Sequence, residues 1–229
     1  MKTLVNVARY HLVDRLTYLA LPWGVMAFSL LVNVVISALV PPSPHGYYTG
    51  GLVTIYVFLL VAGALSMTRS MPFGLMLGVR RGSYYLGTGL LVVALGVVYG
   101  LGLTVLHIAE RATGGWGYGV HFFRLPWILA GPWYQTWMTS FVLLVVFWLY
   151  GMWCGLVHRR WSLPGLTAFF AAQVLVALLF VVAVSLAHDW AAVAHFFSTV
   201  TAPALTGVLA ATAGALGLGG FATMRRVTI

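Results

Sequence analysis

The chain has 229 residues, of which 62% are hydrophobic and only 7% are charged, and its net charge is +9. A soluble domain carries about 25% charged residues because it must cover itself with groups that water solvates, so a soluble enzyme or DNA-binding protein is excluded. The 12 basic residues stand at the ends of apolar runs and not on one solvated surface, which removes nucleic acid as a partner and marks an integral membrane protein.

Residues 1–17 form a distinct first element. Leu4, Val5, Ala8 and Leu12 share one helical face, with Asn6, Arg9 and Asp14 elsewhere, the spacing of an amphipathic helix lying in the membrane interface. The alternative is a frayed basic tail. The first apolar run, 18–40, is longer than the roughly 7–15 residues of a signal-peptide core, so it reads as a span that is kept, ended by Pro41 and Pro42. Further spans are expected over 51–67, 83–108, 133–157, 163–187 and 203–223. The fold class is therefore an all-α integral membrane protein: one transmembrane domain over 1–229, with an N-terminal interfacial helix and six transmembrane helices. The longest connection, 110–132, is too short to form a soluble domain.

Orientation follows from the basic residues. Lys2, Arg9, Arg15, Arg69, Arg80, Arg81, Arg159, Arg160, Arg225 and Arg226 fall on one side of this scheme and only Arg111 and Arg124 on the other. By the positive-inside rule both termini are cytoplasmic, and 41–50, 109–132 and 188–202 face outside. Trp116, Trp127, Trp133, Trp137 and Trp190 on the outer side and Trp161 on the inner side fit an aromatic belt. Glycines gather in the third span, including the Gly96/Gly100 pair, and in the sixth, at Gly207, Gly214, Gly217, Gly219 and Gly220. Such small-residue faces pack helices closely in lipid, within the chain or between two copies.

Much chemistry is missing. The acids Asp14, Glu110 and Asp189 all lie outside the spans, which disfavours a pump driven by an ion gradient, since such proteins place a titratable or ion-coordinating acid within the membrane. The chain has no H-E-x-x-H, no G-x-S-x-G and no Walker A sequence, and Ser185, His188 and Asp189 merely mark a span end. Cys154 stands alone and reads as a small buried hydrophobe. Five histidines, His45, His107, His121, His188 and His195, gather on the outer side, but their spacing fits no ligand motif, so neither a metal nor a cofactor is expected in this chain. Within the spans, Asn33, Thr54, Thr104 and Gln173 stand out: they line a polar path, or they bond to helix backbones, the commoner case.

The connection between the second and third spans, 68–82, departs from an ordinary short polar loop. Arg69 opens it, Met71, Pro72, Phe73, Leu75, Met76, Leu77 and Val79 make its middle apolar, and Arg80 and Arg81 close it. Pro72 suits the first turn of a helix, and a short helix rich in Met and Phe is what a partner's groove receives; the alternative is a helix that only dips into lipid headgroups. The pattern R-S-x-P-F-x-L-x-L-G-x-R-R-x-x-Y-Y-L-G over 69–87 resembles the intracellular loop of small six-span ABC-2-type permeases of bacterial ABC transporters. The resemblance covers the whole chain in layout but only 69–87 in motif. It implies an N-terminal elbow helix, inward termini and a coupling helix at Arg69–Arg81 that docks on a separate ABC ATPase subunit, present in two copies and carrying ATP and Mg. It further implies a second permease chain, identical or related, a place in the bacterial cytoplasmic membrane, and export of a hydrophobic or amphipathic substrate. The short 188–202 connection departs from that layout, with room for little beyond a short outer helix. The competing readings are a non-transporting membrane scaffold or assembly protein and, third, an intramembrane enzyme.

Overall fold

The computed structural model describes residues 16–40, 46–125, 129 and 131–226. The amphipathic helix expected over 1–17 lies outside them except for its last two positions, which enter a π-helical turn, Leu16–Ala20. Helix α1 (Leu21–Leu39) follows, with Pro22 in its first turn, and ends at Val40 in an extended conformation. Pro41 comes next, and a residue preceding proline is pushed out of the helical region by the ring.

The chain then forms a two-residue strand β1 (Tyr47–Tyr48), helix α2 (Val53–Leu65), a π-helical turn (Ser66–Ser70), α3 (Met71–Met76) and α4 (Arg81–Ala112). A glycine-rich turn (Gly115–Gly119), β2 (Val120–His121), α5 (Trp133–Ala187), α6 (Trp190–Thr199) and α7 (Ala202–Arg226) complete it. Five helical runs are long and apolar enough to cross a membrane: Tyr18–Leu39, Val53–Met76, Arg81–Ala112, Trp133–Ala187 and Ala202–Met224.

Two boundaries differ from the sequence expectation. The second run does not stop at 67 but continues through the π-turn and α3 to Met76, so half of the expected loop is helix. The fourth and fifth expected spans form one run, α5, interrupted at Ser162 by a single non-helical residue (φ 55°, ψ −154°). Pro164 explains the interruption, because it offers no N–H to the preceding turn and its ring crowds the carbonyl four residues earlier. Beyond Ser162 the helix folds back on itself. The Tyr150 hydroxyl donates to Gln173 Oε1 at 2.7 Å, and the Tyr150 and Phe169 rings lie 6.2 Å apart. In a straight helix Tyr150 and Gln173 would stand about 35 Å apart.

Long-range contacts sort the connections into two ends. β1 pairs with β2 in parallel, Tyr47 with Val120 and Tyr48 with His121, so the connections after α1 and after α4 meet. α7 begins at that same end, where Thr206 bonds to Gln135 near the start of α5. The opposite end holds the Ser66–Arg81 turn and the Ser162 break, joined where Arg159 reaches Met67, together with the C-terminal part of α7, where Tyr85 donates to the Gly217 carbonyl. Arg69, Arg80, Arg81, Arg159 and Arg160 thus share one end with the helix end that carries Arg225 and Arg226, while Arg111 and Arg124 stand at the other.

The core forms where α2, α4 and the first half of α5 pack around Trp148, Tyr84, Tyr99 and Met67, all essentially inaccessible. The tightest crossing is made by glycine. A Cβ on Gly151 would lie 1.9 Å from the Leu60 carbonyl oxygen, one on Gly63 2.3 Å from that of Trp148, and one on Gly155 2.7 Å from that of Ala64. Gly151 and Gly155 form a small-xxx-small pair. Gly96 and Gly100 pack on Phe141 and Trp137, and Gly219 on Trp153, whereas Gly207 and Gly214 face open space. The second half of α5 touches little besides Tyr150; Val174, Leu178 and Val181 are exposed on it.

Candidate functional site

The turn between α2 and α4 is built from backbone chemistry that Pro72 dictates. In the π-turn each N–H reaches five residues back, and Met71 N–H bonds to the Ser66 carbonyl. The next residue, Pro72, has no N–H to offer the Met67 carbonyl. Arg159, from α5, takes that place, with Nη1 donating to Met67 O at 3.2 Å. The Tyr84 hydroxyl, from the first turn of α4, donates to the Ser66 carbonyl at 2.8 Å in a buried contact. Tyr84 also packs on Gly74, where a Cβ would meet its ring at 3.1 Å.

α3 ends in a Schellman motif. Val79 N–H bonds to the Gly74 carbonyl (3.1 Å) and Gly78 N–H to that of Leu75 (3.0 Å), with Gly78 at φ +80°, the left-handed conformation that glycine adopts without cost. Arg80 then stands in an extended conformation at the start of α4. The expected docking residues divide on this frame. Met71 is fully buried, and Leu75 and Val79 pack against the core. Phe73, Met76 and Leu77 are exposed, at 46%, 79% and 65%, and so are Arg69 and Arg80; Pro72 and Arg81 are half-buried. The solvent-facing part of the set is therefore an apolar patch of three side chains flanked by two guanidinium groups.

The four polar residues expected along a path are not brought together. Asn33 donates to the Ser29 carbonyl of its own helix at 2.8 Å, Thr54 to Gly51 O at 2.7 Å and buried Thr104 to Gly100 O at 2.8 Å. Gln173 is exposed and holds Tyr150. A different polar group is gathered inside the bundle. Gln135 Nε2 donates to Thr206 Oγ1 at 2.9 Å, Thr139 and Thr206 share a 2.7 Å hydrogen bond, and buried Thr136 and Ser140 follow on the adjoining face of α5. The sequence signal for this cluster is the spacing Gln135/Thr139 and Thr136/Ser140, two pairs each one turn apart along adjoining faces of one helix.

At the end remote from the Ser66–Arg81 turn Glu110 is buried near the end of α4, inside the apolar run Arg81–Ala112 and not outside the spans as the sequence leads one to expect. Its Oε2 accepts from Trp116 Nε1 (3.1 Å), Phe122 N (2.9 Å) and Phe123 N (3.0 Å), and its Oε1 from Arg124 N (3.0 Å). These four donors fold the connection back over the helix end. His107 Nδ1 lies 3.2 Å from the Phe123 carbonyl. Among the described residues no three of His, Cys, Asp or Glu come together as metal ligands, and Ser185 Oγ accepts from the Trp190 indole at 3.2 Å. Set against known proteins, the chain matches no family model, no characterised protein and no solved structure.

Proposed function

We propose that this chain is the membrane-spanning permease subunit of an ATP-driven transporter of the ABC type, energised by a separate ATPase subunit. The observation that supports the reading most is the exposed Phe73, Met76 and Leu77 patch between Arg69 and Arg80. Water-exposed apolar side chains on a rigidly bonded turn favour insertion into a partner's groove. The fold-back at Ser162 supports reading α5 as two crossings, six in all, and the positive-inside rule favours both termini and the basic end on the cytoplasmic side. Six helices enclose a poor pathway alone, so two permease chains, identical or related, sit over two ATPase copies in a bacterial cytoplasmic membrane. ATP and Mg stay with the ATPase. Its closure pushes the turn, and the Tyr84–Ser66 and Arg159–Met67 bonds transmit that push into α4 and α5. The substrate is hydrophobic or amphipathic, moved outward.

The test replaces Phe73 and Met76 together by Asp. Both side chains are exposed, so the fold stays intact while the docking patch becomes acidic. Loss of the copurifying ATPase, or hydrolysis no longer coupled to transport, is expected; unchanged assembly and stimulated hydrolysis would remove the docking role. One observation favours the second reading, a non-transporting membrane scaffold: Asn33, Thr54, Thr104 and Gln173 are scattered and satisfied locally. In that case a stoichiometric partner other than an ATPase copurifies.

A further inference from the structure

The positive-inside rule leaves two basic residues at the end remote from the Arg69–Arg81 turn, and both line one cleft. Arg111 and His107 reach it from the last turns of α4, Arg124 from the returning connection and Tyr48 from β1, with Leu125, Leu129 and Gly131 completing a space of about 250 Å³. Three chain segments distant in sequence converge there, and they carry two guanidinium groups, an imidazole and a phenol.

The cleft keeps an excess of positive charge, two guanidinium groups against the one nearby carboxylate of Glu110. The described carboxylates are Glu110 and Asp189. Glu110 is occupied by three backbone N–H groups and the Trp116 indole, and Asp189 does not line the cleft. Among the described residues neither Arg111 nor Arg124 has an ion-pair partner. Glu110 instead fixes the backbone of Arg124, and the bond of His107 Nδ1–H to the Phe123 carbonyl fixes the imidazole at the cleft wall.

We infer that this cleft binds a phosphate oxyanion. Guanidinium groups fit phosphate with paired N–H donors, and two of them with a phenol lining one small cleft offer more donors than the two oxygens of a single carboxylate use. The volume is below the roughly 300–1,000 Å³ of pockets for drug-sized ligands, so a single phosphate group is the right scale. Depth points the same way. Arg111 stands 30 residues along α4 from Arg81, about 45 Å at the helical rise, which equals the roughly 40–45 Å between headgroup layers of a bilayer. Leu125 and Leu129 give the cleft an apolar lip on which the carbon skeleton of a phosphoester rests. The phosphate comes from an anionic lipid headgroup or from free phosphate, and the inference holds whatever the chain transports.

The experiment follows the thermal denaturation of the full-length protein in uncharged dodecyl maltoside. The additives are inorganic phosphate, dihexanoyl phosphatidylglycerol and, as a zwitterionic control, dihexanoyl phosphatidylcholine. Phosphate or the phosphatidylglycerol raises the midpoint of the wild type saturably; a rise with both identifies free phosphate as sufficient, and a rise with the phosphatidylglycerol alone identifies the lipid headgroup. Arg124→Gln, which keeps the backbone bond to Glu110, weakens the half-saturating concentration by about tenfold, and Arg111→Gln with Arg124→Gln abolishes the shift. Arg160→Gln, at the other end, retains it. No shift in the wild type with either anion, or an undiminished shift in Arg124→Gln, would overturn the assignment.

Discussion

Pro72 has no N–H, and much of the basic end follows from that one missing donor. The Met67 carbonyl it leaves open is served by Arg159. A hydrogen bond from a charged donor contributes about 1.5–3 kcal/mol, so Arg159→Leu should cost stability on that scale and lower the denaturation midpoint in detergent, and Arg159→Lys should recover part of it. An unchanged midpoint would mean that water serves the carbonyl equally well. Gly151 is the second telling residue. Its missing side chain lets the Leu60 carbonyl approach to within 1.9 Å of where a Cβ would sit, so Gly151→Ala must push α5 off α2 and cost about 1–3 kcal/mol. Gly207→Ala, with nothing within 4 Å, should be neutral in the same measurement. Neither partnership was legible in the sequence. The spacing of Gly151 and Gly155 is visible there, but so is that of Gly96 and Gly100, and only the paths of the backbones decide which pair crosses most closely.

At the scale of elements, hydropathy located the apolar runs well because burial in lipid is a local property of composition. Expected spans of 18–40 and 203–223 correspond to runs of Tyr18–Leu39 and Ala202–Met224. The second helical run extends beyond the expected span for a physical reason. Thr68, Arg69 and Ser70 mark where side chains turn polar, while the helix is held by its own backbone bonds and continues through a π-turn to Met76. The break at Ser162 is the converse, a change of direction made by one residue and a following proline. It also yields a prediction. In a background with Cys154 replaced by Ala, Trp161→Cys and Leu77→Cys should react with an impermeant thiol reagent from one side of a sealed membrane, and Ser198→Cys and Tyr118→Cys from the other. Labelling of Trp161→Cys and Ser198→Cys from the same side would contradict two crossings in α5.

Over the whole molecule, the segregation of charge joins fold and function. The basic connections come together at one end because the helices alternate in direction, and there the exposed Phe73, Met76 and Leu77 stand between Arg69 and Arg80. The candidate docking residues were legible in sequence as a group, since an apolar stretch bounded by arginines is unusual between two spans. Which of them face outward was not, because the burial of Met71 and the packing of Leu75 and Val79 depend on α4 and α5. The chain has no Walker A sequence, and the acid that falls inside a helical run, Glu110 near the end of α4, is held by four N–H donors, so the proposed permease takes its work from another polypeptide. The most direct measurement is a mild-detergent purification of the chain from its native membrane, with every stoichiometric partner identified by mass and the complex assayed for ATP hydrolysis. The account predicts a soluble ATPase subunit that hydrolyses ATP and is lost when Phe73 and Met76 are both replaced by Asp. An intact chain that purifies with no ATPase would contradict it.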